Sequence, residues 1–278
     1  MLKSYSYYRQ FKPKYEWRPR VDSNHSLSEG LVGLWLFNEG SGLTVYDIGS
    51  VGNYGILTNG AYWTHGKTGI GVGLDGIDDY VKVPHHAEID LVEKWTLLAV
   101  CKRAAINTQH SLVEKYNWAS GYGGYLIRVS NANYAVAGHV SNTAWDSVTG
   151  GTVINANTWY QIAGTFNSNT TTLIIYVNGK QDGINTTASL TPLSSTVTLK
   201  IGARGDNYAT VFNGIIDHVR IYNRALSPQE ILWLYEEPFA GIIYDTIRKF
   251  WFMSVEAPSA FKPFWSHNTN VLIQGSQL

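Results

Sequence analysis

Charge is scarce in this chain. Only 15% of its 278 residues are Asp, Glu, Lys or Arg, against roughly 25% in an average protein. The 21 basic and 21 acidic residues cancel, which excludes a whole-domain basic footprint for nucleic acid. There is one cysteine, Cys101, so neither an intrachain disulfide nor a cysteine zinc cluster can form. No apolar run approaches the ~18 residues of a membrane-crossing helix, and no membrane partner is expected. The first 30 residues hold no apolar signal core. Cytoplasmic synthesis is therefore expected, and the N-x-S/T matches at Asn24, Asn169 and Asn185 are read as chance.

Rings are plentiful instead, with 10 Trp, 18 Tyr and 9 Phe. Many rings with few charges exclude a disordered chain and a coiled coil. Residues 29–226 read as short strands separated by turns: Leu31–Phe37, Tyr80–Val83, Trp95–Lys102, Ser111–Glu114, Tyr125–Val129, Tyr134–Val140, Trp159–Phe166, Thr171–Val177, Thr196–Ile201 and Gly214–Tyr222. After the last residue of Thr171–Val177 comes Asn178-Gly179, the strongest short hairpin signal because both positions need positive φ. Strands without interposed helices predict an all-β, antiparallel two-sheet sandwich. Trp35 and Trp159 lie in apolar strands and are expected in its core. One helix is predicted where Ser227-Pro228-Gln229-Glu230 combines a capping box with proline at the first helical position. Ile231, Leu234 and Tyr235 would form its apolar face.

Two flanking segments differ from the middle. Residues 1–28 carry six basic residues against Glu16 and Asp22, interleaved with rings and broken by Pro13 and Pro19. Residues 238–278 carry eight rings, among them Phe239, Tyr244, Trp251 and Trp265. The chain is thus read as a basic, aromatic arm (1–28), a sandwich domain (29–237) and an aromatic tail (238–278). The sandwich is expected to fold alone, while arm and tail gain order by docking on other protein subunits.

Five stretches, in order, resemble the laminin-G-like, concanavalin A-like jelly-roll domains. They are Gly30 to Gly42 (GLVGLWLFNEGSG), Leu74 to Val81 (LDGIDDYV), Trp159 to Phe166 (WYQIAGTF), Tyr176 to Gly179 (YVNG) and Phe212 to Ser227 (FNGIIDHVRIYNRALS). The resemblance implies a jelly roll; it does not fix a function, since such domains include glycan binders, adhesion modules and parts of enzymes and phage or other virus structural proteins. It also implies one structural calcium between the first turn, at Asn38, Glu39 and Ser41, and Asp217 near the chain's end. Glucanases of this superfamily place paired carboxylates as E-x-D-x-x-E on one strand, and no such run occurs here. No G-x-S-x-G elbow occurs either. Gly71 to Gly76 matches G-x-G-x-x-G, but a strand follows it where a dinucleotide site needs a helix. No catalytic residue is assigned.

Sugar sites set aromatic platforms beside polar groups, and loops on a rigid sandwich are where binding resides. Tyr116, Trp118, Tyr122, Trp145, Asp206 and Tyr208 have that composition and are the candidate glycan contacts. Two functions fit: a non-catalytic structural subunit of a virion, such as a capsid decoration protein joined to its neighbours through residues 1–28 and 238–278, or a free carbohydrate-binding module.

Overall fold

The structure, a computed structural model, describes residues 12–117, 123–141, 144–188, 192–205 and 210–244. Its strands, in chain order, are β1 (Arg20–Val21), β2 (Leu31–Trp35), β3 (Thr44–Val45), β4 (Gly55–Thr58), β5 (Tyr62–His65), β6 (Ile70–Asp75), β7 (Tyr80–Val83), β8 (Lys94–Arg103) and β9 (His110–Asn117). There follow β10 (Gly123–Val129), β11 (Tyr134–Ser141), β12 (Ala144–Val153), β13 (Trp159–Asn167), β14 (Thr172–Val177), β15 (Lys180–Asn185), β16 (Leu199–Ile201), β17 (Asn213–Tyr222) and β18 (Ile242–Ile243). Helix α1 spans Pro228–Glu236.

Two antiparallel sheets form a sandwich, as expected. Sheet I runs β15-β14-β13-β8-β17-β6-β5, and β2 also pairs with β17. Sheet II runs β12-β11-β10-β9-β16-β7-β4-β3. The core between them takes alternate residues of each strand, because successive side chains point to opposite faces. Trp35, Trp95, Val113, Ile127, Ala137, Ile201 and Ile216 belong to it. The Asn178-Gly179 turn adopts positive φ at both positions, 51° and 78°. The glycine repeat at 71–76 lies within β6 and the turn after it, not at the head of a helix.

Strand β8 reads Trp95-Thr96-Leu97-Leu98-Ala99-Val100-Cys101, and every one of these residues is buried. Leu97, Ala99 and Cys101 face the inter-sheet core, whereas Leu98 and Val100 face a second core on the far side of sheet I. A strand covered on both faces loses its polar alternation. The second core is closed by Ile231 and Leu234 of α1, by Leu27, and by Phe239, Ala240 and Ile242. Arg220 Nη2 donates to the Pro238 carbonyl at 2.7 Å, and β1 pairs with β18, Arg20 opposite Ile243. Residues 12–28 and 238–244 therefore pack on this chain's own sandwich, and one compact unit extends to Tyr244. The expected docking of residues 1–11 and 245–278 falls outside the described residues.

The predicted cap forms. Ser227 Oγ accepts from Glu230 N at 3.3 Å, the Glu230 carboxylate accepts from Ser227 N at 2.8 Å, and Arg224 holds Glu230 at 2.7 Å. Trp35 is fully buried, but Trp159 is only half-buried at the margin of the second core, with the Lys102 ammonium 5.2 Å from its ring centre. Its position at the start of β13 accounts for this. Cys101 is enclosed, and burial pushes its thiol up to about 12, which makes it unreactive at neutral pH.

A fragment of residues 12–244 is expected to melt well above one of residues 29–237. The shorter fragment loses Leu27, Phe239 and Ile242, each buried side chain contributing about 1.5–3 kcal/mol, and bares the second core. Equal melting temperatures would contradict this packing. Trp95→Ala should cost about 3–5 kcal/mol in denaturant titration, and Trp159→Ala about 1 kcal/mol, in line with its partial burial.

Candidate functional site

Two constellations draw together the residues singled out in the sequence. The first lies at Asp217. Strand β17 pairs with β6 up to Ile216 and with β2 from Val219. On its other edge a bulge separates Ile216, opposite Cys101, from His218, opposite Val100. Bulges re-aim side chains and free backbone groups from the ladder. Here the released Asp217 carbonyl and one carboxylate oxygen both accept from Lys12 Nζ at 2.8 Å, and the Ile70 carbonyl accepts a third bond from the same ammonium. Thr68 N donates to the other Asp217 oxygen at 2.9 Å, and His218 Nδ1 lies 2.8 Å from the first. Lys12 and Asp217 are both buried.

Asn38 Nδ2 donates to the Pro13 carbonyl at 2.7 Å, while Glu39 Oε1 accepts from Tyr46 N at 2.8 Å. Glu39 is raised from its ordinary value by burial, which outweighs its backbone hydrogen bonds and the Lys12 charge. Ser41 is exposed in the same turn. Lys12-Pro13 thus bridges the Asn38–Glu39 turn and Asp217. The oxygens around Asp217 are of the kind calcium takes, but with Lys12 in place they are engaged by its three N–H groups. The site as folded does not fit a calcium ion.

The second constellation lies on sheet II, on the face turned away from the core. The register sets Lys200 opposite Glu114, and Glu114 opposite Leu126. Tyr116 and Trp145 meet edge to face with centroids 6.1 Å apart. The Arg128 guanidinium stands 4.9 Å from the Trp145 ring centre, and that of Arg204 stands 5.5 Å from the Tyr116 centre. Burial pushes Arg128 below its ordinary value, opposed by the nearby Glu114 carboxylate. Glu114 and Tyr116 are buried; Trp145, Arg128 and Arg204 are half-buried and form the accessible part. Of the predicted glycan contacts, Tyr116 and Trp145 come together here. Trp118, Tyr122, Asp206 and Tyr208 lie outside the described residues. The sequence reading missed Arg128 and Arg204. Arg128 had a signal: a charge between Ile127 and Val129 of an apolar strand, with Lys200 placed alike between Leu199 and Ile201. Asp75, Asp78 and Asp79 converge elsewhere, their oxygens within 4.8 Å of one another, but Asp79 serves the turn by accepting from Gly60 N and Asp75 N.

The architecture is that of a two-sheet jelly roll. The chain belongs to the Concanavalin A-like lectin/glucanases superfamily, whose sequence profile matches residues 75–232. No curated protein matches the sequence closely enough to count as a relative. Among solved structures, the chain is similar to the binding domain of Paraclostridial Mosquitocidal Protein 1, with a TM-score of 0.62 and 15% identity over 76% of this chain and 52% of that one. It is similar to domain 4 of AbnA, a GH43 extracellular arabinanase from Geobacillus stearothermophilus, in complex with arabinotriose: TM-score 0.58, 17% identity, 74% of this chain and 98% of that one. Trypanosoma rangeli sialidase in complex with the inhibitor DANA gives 0.53 and 17%, over 74% of this chain and 32% of that one. The chain thus spans about half of the first of these chains and a third of the last. At such identities the likeness is one of fold.

The bulge makes a pH prediction. Burial lowers His218 to about 4, more than its bond to Asp217 raises it. Burial would raise Asp217, but the Lys12 charge and the His218 bond hold it down at about 2. Both values lie below the ordinary 6.5 and 3.8, so the folded state binds fewer protons than the unfolded state, and stability falls as pH drops. His218 acts between pH 6.5 and 4, and Asp217 between 3.8 and 2. In His218→Gln the fall in melting temperature between pH 6.5 and 4 should shrink; an unchanged profile would contradict the assignment.

Proposed function

We propose that the protein is a non-catalytic binding module whose ligand is a carbohydrate, taken up on the outward face of sheet II at Trp145, Arg128 and Arg204, with the buried Tyr116 packed against Trp145 behind them. The observation that carries this reading is the pair of rings set edge to face with a guanidinium over each. A sugar ring presents an apolar C–H face and a rim of hydroxyls. An aromatic platform suits the first, and the rigid donor fork of arginine suits the second. Glu114 is the carboxylate of this cluster among the described residues, and its interaction with Arg128 gives it a charge-balancing role. The arabinotriose held by the arabinanase domain of similar fold supports a sugar as ligand class.

A second reading rests on composition. Residues 245–278 carry Phe250, Trp251, Phe252, Phe261, Phe264 and Trp265, more apolar surface than a solvated tail carries without docking. In this reading the module is a subunit of a larger assembly, such as a virion surface, and displays its sugar-binding face outward. The two readings are compatible.

Titration of the full chain against a panel of neutral and acidic oligosaccharides is expected to find a ligand. Trp145→Ala and Arg128→Ala should each weaken it at least about tenfold, or ~1.4 kcal/mol, while the melting temperature stays within a few degrees. A Trp145→Ala chain that binds as tightly as wild type, or a panel without a ligand, would remove the proposal. Native mass measurement tests the second reading: the full chain should associate and a chain ending at Tyr244 should not.

A further inference from the structure

We propose that Lys12 is the resident cation of an oxygen cage at the β17 bulge, and that a calcium ion and this ammonium are mutually exclusive occupants of it. The cage is built before the lysine is considered. The Asp217 carbonyl is freed by the bulge where β17 changes partner from β6 to β2. The Ile70 carbonyl opens β6, and the Asp217 carboxylate is fixed by Thr68 N and His218. Glu39, which attracts the Lys12 charge, has Oε2 buried without a hydrogen-bond partner. The two carbonyls and the Asp217 carboxylate, offered by β6 and β17, are hard-oxygen donors of the kind that hold a divalent cation at about 2.3–2.6 Å, and Glu39 adds negative charge to the same site.

Lys12 Nζ stands 2.8 Å from both the carbonyl and a carboxylate oxygen of Asp217. An ammonium at that place and a calcium ion bonded to the same oxygens cannot coexist. The tether is secured on its C-terminal side: the Pro13 carbonyl is held by Asn38 and the Tyr15 ring stacks on Tyr46 at 5.4 Å. The chain therefore supplies its own charge compensation and needs no ion to close the junction of β6, β17 and β2. This inference stands independently of the carbohydrate reading.

The test uses the full chain and calcium chloride, followed by calorimetric titration and thermal melting with and without a chelator. Wild type should show no calcium heat and the same melting temperature in both conditions. Lys12→Met keeps the apolar stem and removes the charge. It should bind calcium with a dissociation constant of about 10⁻⁴–10⁻³ M, and saturating calcium should raise its melting temperature by at least about 3 °C. Asp217→Asn added to Lys12→Met should abolish both effects. A wild-type chain stabilised by calcium would overturn the proposal, as would a folded Lys12→Met chain that binds none at about 10 mM. A Lys12→Met chain that folds in neither condition would overturn it too, because an open calcium cage would rescue it. In wild type, amine acylation read by mass spectrometry should leave Lys12, like the buried Lys115, among the least modified lysines of residues 12–244, with or without calcium; ready modification of Lys12 would place its ammonium outside the cage.

Discussion

A β-sheet that is apolar on both faces must be covered twice, and much of this fold answers that constraint. Strands β8 and β17 bury side chains to either side. One face meets sheet II. The other would lie bare without α1, Leu27 and the residues around Phe239. The segments that flank the sandwich in sequence thereby become part of its core, and the unit extends beyond the boundaries that composition suggests. The Thr96 hydroxyl fastens this cover directly, donating to the Arg224 carbonyl and accepting from Leu226 N at the approach to α1.

The same constraint explains how a lysine comes to lie in the interior. Covering sheet I brings residues 12–28 across its face, and the bulge at Asp217 offers an otherwise unpaired carbonyl and a carboxylate in their path. Leaving such groups buried without a donor costs several kcal/mol. The Lys12 ammonium satisfies both and also takes up the Ile70 carbonyl. The interaction is thus as much a matter of backbone satisfaction as of charge pairing.

The ten strands read from alternation and turn residues are all present, because central strands have at least one fully apolar face. Those that escaped notice are the two-residue β1, β3 and β18 and strands of two further kinds. Strands β12 (AWDSVTGGTV) and β15 (KQDGIN) are polar and largely exposed, and β4, β5 and β6 lie in a glycine-rich stretch that reads as loop. The cap at Ser227 was legible because its chemistry is local. The site at Trp145 was legible only in part, since Arg128 and Arg204 join it through strand register, and register depends on pairings distant in sequence. The partnership of Lys12 with Asp217, 205 positions apart, has no local signature at all. A basic residue in a charged arm looks like a solvated one until the sheet is assembled.

The pairing of β1 with β18 has a mechanical consequence. Arg20 lies opposite Ile243 and Val21 opposite Ile242, so the strand approaching the sandwich and the strand departing from it run side by side in opposite directions. Tension applied through both flanks reaches the Arg20–Ile243 rung first and peels the ribbon apart rung by rung, the geometry in which hydrogen bonds resist least. On the N-terminal side the load must dislodge Lys12 from its oxygens before it bears on that rung. Under pull, the cover over Phe239 is therefore set to yield before the sandwich beneath it.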